Sequence, residues 1–305
     1  SGIPIYLYQL TVGASASLTM TGSGNISVFD NVTFPGTALF SGTSTFTYAN
    51  PDFAASQNIA DLPYVNLAVD GLAVKNLPPV TTVTGNFIIN GTPPNFGTGT
   101  FIYQAGSALQ RIAAASYYNL TITGNRGGGT IKLGSGGTPN TIDVANVFTM
   151  SATNYNATCD TYNTFNFSST GTQTIPGFTY GALTNVTSGG GVRIYDPLGS
   201  TNAANVILCK VFSPPSPLVR ANNIVTGSKI VVNRDISIAP TNMTLSTFYY
   251  NDLEITGDMA GRNLSVAFDN IVGIAGKFVI SATNFKQPLN NYFIEFNGTG
   301  GQTIP

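Results

Sequence analysis

The secondary structure of this chain is decided by a pattern that is clearest in Tyr118-Asn119-Leu120-Thr121-Ile122-Thr123-Gly124. Aliphatic and hydroxyl side chains alternate along this segment, so the leucine and isoleucine face one side of an extended chain and the threonines face the other. β-Branched residues fill the segment and a glycine closes it, which is typical of a strand that runs into a turn. The segment therefore predicts a half-buried β-strand.

The same phrase recurs at Tyr64–Gly71 and Tyr250–Gly257. Each copy follows an aliphatic anchor by five or six positions, and such anchors recur about 60 residues apart along the whole chain. The anchors are Ile3, Ile59, Ile112, Ile175, Leu245 and Ile304. The tyrosines that follow the first five are Tyr8, Tyr64, Tyr118, Tyr180 and Tyr250. A recurrence of this kind is the signature of a repeat protein.

Two further phrases keep a constant order relative to the anchors. Phe148–Tyr155 returns as Phe278–Phe285, and Asn86–Asn90 is a weaker copy. A third phrase precedes the anchors and usually places two aromatic residues two positions apart: Phe46–Tyr48, Phe101–Tyr103, Phe165–Phe167 and Ile294–Phe296. Compositional bias alone can produce look-alike strands, but three ordered phrases favour a true repeat. The predicted repeat units are 1–58, 59–111, 112–174, 175–244 and 245–305, of which the fourth diverges most.

The chain is predicted to be all-β, because no segment carries a convincing helical stripe of apolar residues. Two architectures fit the repeat. In a β-solenoid (β-helix-like) of about five units, each unit makes two to three short-stranded coils that stack on the next unit. The alternative is a row of tandem small β-sandwich modules, which usually need about 100 residues each. We favour the solenoid, because each unit can bury its apolar face on its neighbour.

Charge and composition limit the classes of partner. Charged residues make up 8% of the chain and the net charge is −1, so we expect no nucleic-acid partner and no attraction to anionic membranes. No apolar run is long enough for a membrane-spanning helix. Hydrophobic residues reach 42%, which is ample for a packed core and excludes a disordered low-complexity chain.

The residue types needed for common catalytic sites are missing or scattered. The chain contains no histidine, which excludes a Ser-His-Asp triad and an imidazole metal site. Asp252 and Glu254 lie two apart on one predicted strand, and calcium at Asp258 or Asp269 lacks the regular spacing of a calcium loop. We therefore expect no enzyme activity, no cofactor and no metal. The alternative is a carbohydrate-binding or carbohydrate-cleaving β-helix protein.

The cysteines and the tyrosines each leave two interpretations open. Cys159 and Cys209 lie in neighbouring units and could form a disulfide in an oxidising compartment, or could be two buried thiols. The repeat tyrosines could form an exposed strip that stacks on sugars, or an internal ladder that fixes the register between units. Their place beside alternating strands favours the internal ladder.

The two ends of the chain lie at the same phase of the repeat. One end supplies Ile3, Pro4, Tyr8 and Leu10, and the other supplies Gln302, Ile304 and Pro305. Placing one end on the other restores the repeat, so we expect head-to-tail continuation with further copies of the chain or of the same repeat.

The phrase Gly171–Pro176, followed by Tyr180 and Leu183, resembles the β-strand repeats of giant secreted surface proteins and adhesins of Bacteroidetes-type bacteria. Those repeats combine Gln-Thr-Ile-Pro with Tyr-Asn-Leu-Thr-Ile. The resemblance is clearest at residues 117–124, 148–155, 165–176, 250–257, 278–285 and 296–305, whereas Gln110–Ile112 and Met243–Leu245 depart from it. It implies an extracellular or cell-surface location and a structural or adhesive role, with no catalytic residues to carry over. Besides further copies of the repeat, surface glycans are the other class of partner that we consider.

Overall fold

The structure, a computed structural model, contains β-strands joined by turns and bends. It describes residues 4–106, 109–134, 140–157, 163–169, 173–176, 178–180, 182–184, 193–195, 205–208, 212–213, 229–233, 243–245, 248–250, 252–256, 258–266, 271–286, 293–299 and 301–302. Over these ranges there is no helix with the length and hydropathy needed to cross a bilayer. The chain divides into two compact units, residues 1–132 with 152–156, and residues 133–151 with 157–305.

The first unit is built from short strands of two to eight residues. They are β1 (Ile5–Leu7), β2 (Leu10–Thr11), β3 (Ser17–Met20), β4 (Asn25–Val28), β5 (Val32–Thr33), β6 (Thr37–Phe40), β7 (Thr45–Tyr48), β8 (Ser56–Asn58), β9 (Asn66–Val69), β10 (Val74–Asn76), β11 (Val80–Val83), β12 (Phe87–Ile89), β13 (Thr100–Gln104), β14 (Gln110–Ile112) and β15 (Ser116–Thr123). Short strands at this density are what the closely spaced turn residues of the sequence predict.

Parallel pairing of these strands winds the chain into a β-solenoid. Phe46 pairs with Ile26 in the coil before it and with Leu67 in the coil after it, so one coil takes about 20 residues. The stack β1-β4-β7-β9-β12 forms one face of the first unit. Other faces contain β2-β5, β8-β10, β3-β6 and the pairs that β13 makes with β11 and β15. The predicted all-β solenoid is thereby confirmed.

The sequence repeat is not a whole number of coils. The aromatic phrase Phe46–Tyr48 lies in the face that contains β4 and β9, whereas its next copy, Phe101–Tyr103, lies in the face that contains β11 and β15. Successive copies of one phrase therefore point in different directions around the solenoid. The bounds of the five repeat units stay a prediction.

The core of each coil is aromatic and aliphatic. Both rings of each aromatic phrase point inward, and their centroids lie 5.1 Å apart for Phe46 and Tyr48 and 5.0 Å apart for Phe101 and Tyr103. All four side chains are buried, because parallel stacking puts each inward row beneath the same row of the next coil. The side chains of β15 alternate as predicted, since Leu120 and Ile122 point inward and are fully buried.

Glycine closes the corner where one face passes into the next. Gly71 has a φ of 77°, and a Cβ on it would lie 2.2 Å from the carbonyl oxygen of Asn50 in the preceding coil. A Cβ on Gly91, one coil later, would lie 2.2 Å from the carbonyl oxygen of Gly71. The coils approach so closely at this corner that only glycine fits.

The second unit contains the same kind of short parallel strands. With the two strands at the boundary between units, its strands are β16 (Thr130–Leu133), β17 (Asn140–Met150), β18 (Asn156–Ala157), β19 (Asn163–Phe167), β20 (Gln173–Ile175), β21 (Phe178–Tyr180), β22 (Ala182–Thr184), β23 (Arg193–Tyr195), β24 (Asn205–Leu208), β25 (Phe212–Ser213), β26 (Lys229–Asn233), β27 (Met243–Leu245), β28 (Phe248–Tyr250), β29 (Asp252–Thr256), β30 (Asp258–Val266), β31 (Ile271–Ile274), β32 (Phe278–Ile280), β33 (Thr283–Lys286) and β34 (Phe293–Phe296). Three of its sheets are β21-β24-β26-β29-β32, β27-β30-β33 and β28-β31-β34.

Candidate functional site

The repeat tyrosines lie inside the solenoid at three of the five predicted positions. Tyr64, Tyr180 and Tyr250 are buried. Tyr8, in the first coil, is 75% exposed. In the third predicted unit the buried position belongs to Tyr117, while Tyr118 is half-buried.

The hydroxyl of Tyr64 belongs to a buried hydrogen-bonded pair. Its oxygen lies 2.8 Å from the hydroxyl oxygen of Tyr48. The backbone N–H of Ala60 donates to the Tyr48 hydroxyl over 2.9 Å, and the Tyr64 hydroxyl donates to the carbonyl of Ala60 over 2.6 Å. Two tyrosines therefore satisfy both backbone groups of one alanine in the loop between anchor and tyrosine.

The loop after the next anchor, Ile112, reproduces this arrangement. The hydroxyl oxygens of Tyr103 and Tyr117 are 2.8 Å apart. The N–H of Ala113 donates to Tyr103 over 3.0 Å, and Tyr117 donates to the carbonyl of Ala113 over 2.9 Å. We call Ile59–Tyr64 and Ile112–Tyr117 the first and second tyrosine loops.

The loop after the anchor Ile175 differs from the first two at two residues together. Tyr180 donates to the carbonyl of Pro176 over 2.9 Å, as Tyr64 does to Ala60. The ring of Phe167 lies 6.5 Å from the ring of Tyr180, close to the 6.4 Å that separates Tyr48 from Tyr64. Proline has no N–H to donate and phenylalanine has no hydroxyl to accept it, so no donor is left unpaired at that point.

Burial controls the ionisation of these tyrosines. It raises the pKa of Tyr48 to about 12, although the hydrogen bonds that Tyr48 makes with Tyr64 and Ala60 oppose the shift. Burial also raises the pKa of Tyr64, Tyr103 and Tyr117. These phenols stay protonated over the physiological range and act as hydrogen-bonding groups, not as acids or bases.

A glutamine two positions before the anchor ties neighbouring coils together. The Gln57 side-chain amide donates to the carbonyl oxygens of Val28, over 3.0 Å, and Asp30 in the preceding coil. Its Oε1 accepts the N–H of Asn50 over 3.3 Å. Gln57 is buried, and the Asp30 carbonyl and the Asn50 N–H bond to it in place of water, while the Val28 carbonyl also accepts the N–H of Ala49. We call this arrangement the glutamine latch.

The last described coil contains the same latch. Gln302 donates to the carbonyl oxygens of Ile274 and Gly276 over 2.8 and 3.0 Å. Its Oε1 accepts the N–H of Gly298 over 3.1 Å. In both latches the two acceptors are separated by one residue along the chain. One side chain therefore makes the same three contacts at both places.

Gln110 forms a third, modified latch. Its amide donates to the carbonyl of Gly85, and its Oε1 accepts from the guanidinium of Arg126. The same guanidinium donates to the carbonyls of Tyr103 and Thr123 over 2.9 and 2.8 Å. Arg126 is buried, and this burial lowers its pKa.

A second buried cation lies in register with the first latch. Lys75 pairs with Gln57 across β10 and β8, and its Nζ donates to the carbonyls of Asn50 and Ala73 over 3.2 and 2.9 Å. Burial lowers the pKa of Lys75, while the carboxylate of Asp70 opposes this shift. Lys75 therefore occupies the position in β10 that Gln57 occupies in β8, one coil earlier. There its ammonium group, instead of a glutamine amide, donates to the carbonyl groups at the corner.

The phrase Phe148–Tyr155 and its copy Phe278–Phe285 each contain an asparagine with the same structural role. Asn154 and Asn284 adopt left-handed backbone conformations, with φ of 49° and 53°. Their side-chain amides donate over 3.1 Å to Asn125 and over 3.0 Å to Asp258, respectively. Asparagine tolerates this conformation better than other non-glycine residues, which explains its recurrence after Ala-Thr.

The carboxylates considered for catalysis take part in contacts between coils. Asp252 accepts the N–H of Lys277 over 2.7 Å, and Glu254 accepts from the hydroxyl of Ser281 over 3.3 Å. Asp269 lies outside the described residues. Within the described part of the chain, no group of three or more Asp, Glu, Cys or His side chains could hold a metal ion.

The remaining predicted residues divide into two groups. Pro4 is exposed, and Leu10 is half-buried in β2, paired with Val32 of β5. The others fall outside the described residues, so the disulfide and part of the assembly ends stay predictions: Cys159, Cys209, Ile3, Ile304 and Pro305.

Sequence reasoning missed Tyr117, the glutamine latches and both buried cations. A strict spacing of five residues from each anchor would have selected Tyr117 instead of Tyr118. The recurrence of glutamine two positions before Ile59, Ile112 and Ile304 was visible but carried no mechanism. No sequence pattern predicts the buried cations Lys75 and Arg126.

Comparison with family models, with curated proteins and with solved structures gives no significant match for this chain.

Proposed function

We propose that this protein is an extracellular structural repeat protein, a segment of a stalk, filament or adhesin that supplies reach and mechanical continuity. The observation that carries the proposal is the repeated latch between coils, in which Gln57 and Gln302 make the same three contacts. The polar side chains of these latches, buried at Gln57 and half-buried at Gln302, bond one coil to the next. A stack maintained in this way can be lengthened by repetition.

Head-to-tail continuation is the second part of the proposal. Ile5 pairs with Ile26 and therefore lies in the inward row of its face, yet Ile5 is 51% exposed while Ile26 is 5% exposed. Tyr6 and Tyr8 are also exposed. A further coil placed on β1, from another copy or from the same repeat, would cover these side chains. Such a contact does not close on itself unless the rotation happens to, so it generates a filament.

Assembly is tested by analytical ultracentrifugation and negative-stain microscopy over a range of concentrations. We expect linear assemblies, which Ile5→Asp abolishes because it puts a charge into the covered row. Leu39→Asp is the matched control, since Leu39 is 62% exposed on the outer side of β6, and assembly should persist. A protein that stays monomeric at high concentration, or that assembles equally well with Ile5→Asp, contradicts the continuation.

The location is tested separately. Antibodies against the purified protein should label the surface of intact cells of the source organism or the material that these cells release. Labelling confined to the cell interior would exclude the extracellular role, whatever the assembly state.

A further inference from the structure

The first tyrosine loop is drawn inward and leaves a groove on the outer surface of the first unit. The hydroxyls of Tyr48 and Tyr64 hold Ala60, and Leu62 is buried with the anchor. The alternate side chains, Asp61 and Pro63, stay exposed at the rim. Because buried hydrogen bonds fix the backbone here, the rim residues have a defined position.

The rest of the groove lining comes from the next two coils on the same face, because Tyr64 pairs with Val83 and Val83 pairs with Tyr103. Thr82 and Thr84 lie in and just after β11, and Gln104 ends β13. With the tyrosine loop they enclose an open cavity of about 380 Å³. The Thr84 hydroxyl donates to the carbonyl of Tyr64 over 3.4 Å, which leaves its oxygen lone pairs available as acceptors.

The chemistry of the lining favours a ligand with many hydroxyl groups. Asp61 contributes a carboxylate that only accepts hydrogen bonds, and Gln104 both donates and accepts. The Thr84 hydroxyl, whose proton is used in the bond to Tyr64, accepts. The exposed ring of Pro63 offers a small apolar surface beside them. No cation lines the cavity within the described residues, so nothing there favours an anionic ligand.

We propose that this groove binds a neutral sugar residue of a glycan chain, with Asp61 accepting sugar hydroxyls and Gln104 and Thr84 completing the hydrogen bonds. A cationic peptide could pair with the carboxylate alone, but it would leave the amide and hydroxyl groups of the next two coils unused. A sugar uses all of them. The inference goes beyond the structural role, since a stalk can carry a binding groove on its side.

The second tyrosine loop provides a comparison within the same molecule. It has the same tyrosine frame around Ala113, but Ala114 and Ser116 stand where Asp61 and Pro63 stand in the first loop. The frame is thus constant while the rim side chains differ. The second loop lacks the carboxylate that the proposed contact requires, so only the first loop should bind.

The test is saturation-transfer NMR of the full chain with cellohexaose, maltohexaose and chitohexaose, followed by titration of the strongest ligand. We expect saturation transfer to at least one of them, with a dissociation constant on the order of millimolar, because the groove is open and shallow. Asp61→Ala should weaken binding by about tenfold or more, the loss of a hydrogen bond to a charged group. Gln104→Ala should weaken it less.

Asp30→Ala is the matched control, because it removes the same charge at a half-buried corner outside the groove. It should bind like the unmodified protein, and circular dichroism should show that all variants keep their strands. Absence of transfer to all three oligosaccharides overturns the proposal. So does binding that Asp61→Ala leaves unchanged, or binding only of a lysine-rich peptide. None of these outcomes affects the test of assembly.

Discussion

At the scale of single residues, the tyrosine loops follow a rule of paired substitution. At Ala60 and Ala113 the loop residue after the anchor has an N–H, and a tyrosine of the aromatic phrase accepts it. Where that residue is Pro176, the aromatic residue is Phe167. The chain ends with the same combination, Phe296 with a proline after the last anchor. A buried donor and its acceptor are therefore present or absent together, because either one alone is costly.

This rule predicts a coupling between Tyr48 and Ala60. Tyr48→Phe leaves the buried N–H of Ala60 without its acceptor and should lower the free energy of unfolding by about 1 to 3 kcal/mol. Adding Ala60→Pro removes the orphan donor and should recover a large part of the loss. Urea unfolding of both single variants and the double variant measures this coupling. Strictly additive effects would show that the N–H of Ala60 does not depend on Tyr48.

The glutamine latch predicts a strong effect of a small change. Gln57→Leu keeps the volume but removes the partners of the Asp30 carbonyl and the Asn50 N–H, and should cost about 2 to 4 kcal/mol for two orphaned buried groups. The neighbouring exposed Asn58, changed to alanine, should stay within about 0.5 kcal/mol of the parent. Equal stability of Gln57→Leu and the Asn58 variant in urea would contradict the role of the latch.

At the scale of strands and corners, the sequence predicts the positions of the strands better than the length of one coil of the solenoid. Alternation in β15 identified its inward residues, because period-two burial is a local property. The length of a coil depends instead on where corners fall, and corners here rest on single residues such as Gly71. The latch side chains were unpredictable for another reason. Gln57 and Lys75 look like surface residues in a strand, and only the stacking of coils makes their carbonyl partners buried.

The corners predict which glycines can be replaced. Gly91→Ala would put a Cβ 2.2 Å from the carbonyl oxygen of Gly71, so the coils must separate locally, at a cost of about 1 to 3 kcal/mol. Gly106 is the matched control, because a Cβ there meets nothing within 4 Å. Thermal unfolding should show a clear loss for the first variant and little change for the second. A reversed order would mean that this corner is not closely packed.

At the scale of the whole molecule, the ionisation of buried groups sets an alkaline limit to stability. Among the residues that the structure describes, five tyrosines have a raised pKa because they are buried: Tyr48, Tyr64, Tyr103, Tyr117 and Tyr250. In the unfolded chain they ionise near pH 10, while in the folded chain they stay protonated. Their contribution is therefore complete below about pH 10 and is lost as the pH rises towards the folded values. For Tyr48 alone the loss reaches about 2 to 3 kcal/mol.

The buried cations Lys75 and Arg126 have the opposite effect on the pH dependence of stability, but the effect of the tyrosines is larger. The lowered pKa of Lys75 and Arg126 means that the unfolded chain holds these protons more tightly, so their contribution to stability grows as the pH rises. Five tyrosines against two cations give a net loss. We expect the urea midpoint to fall between pH 9 and about pH 11.5, with tyrosinate absorbance appearing together with unfolding. A midpoint that holds or rises over this range would mean that the tyrosine pairs do not stay buried in solution.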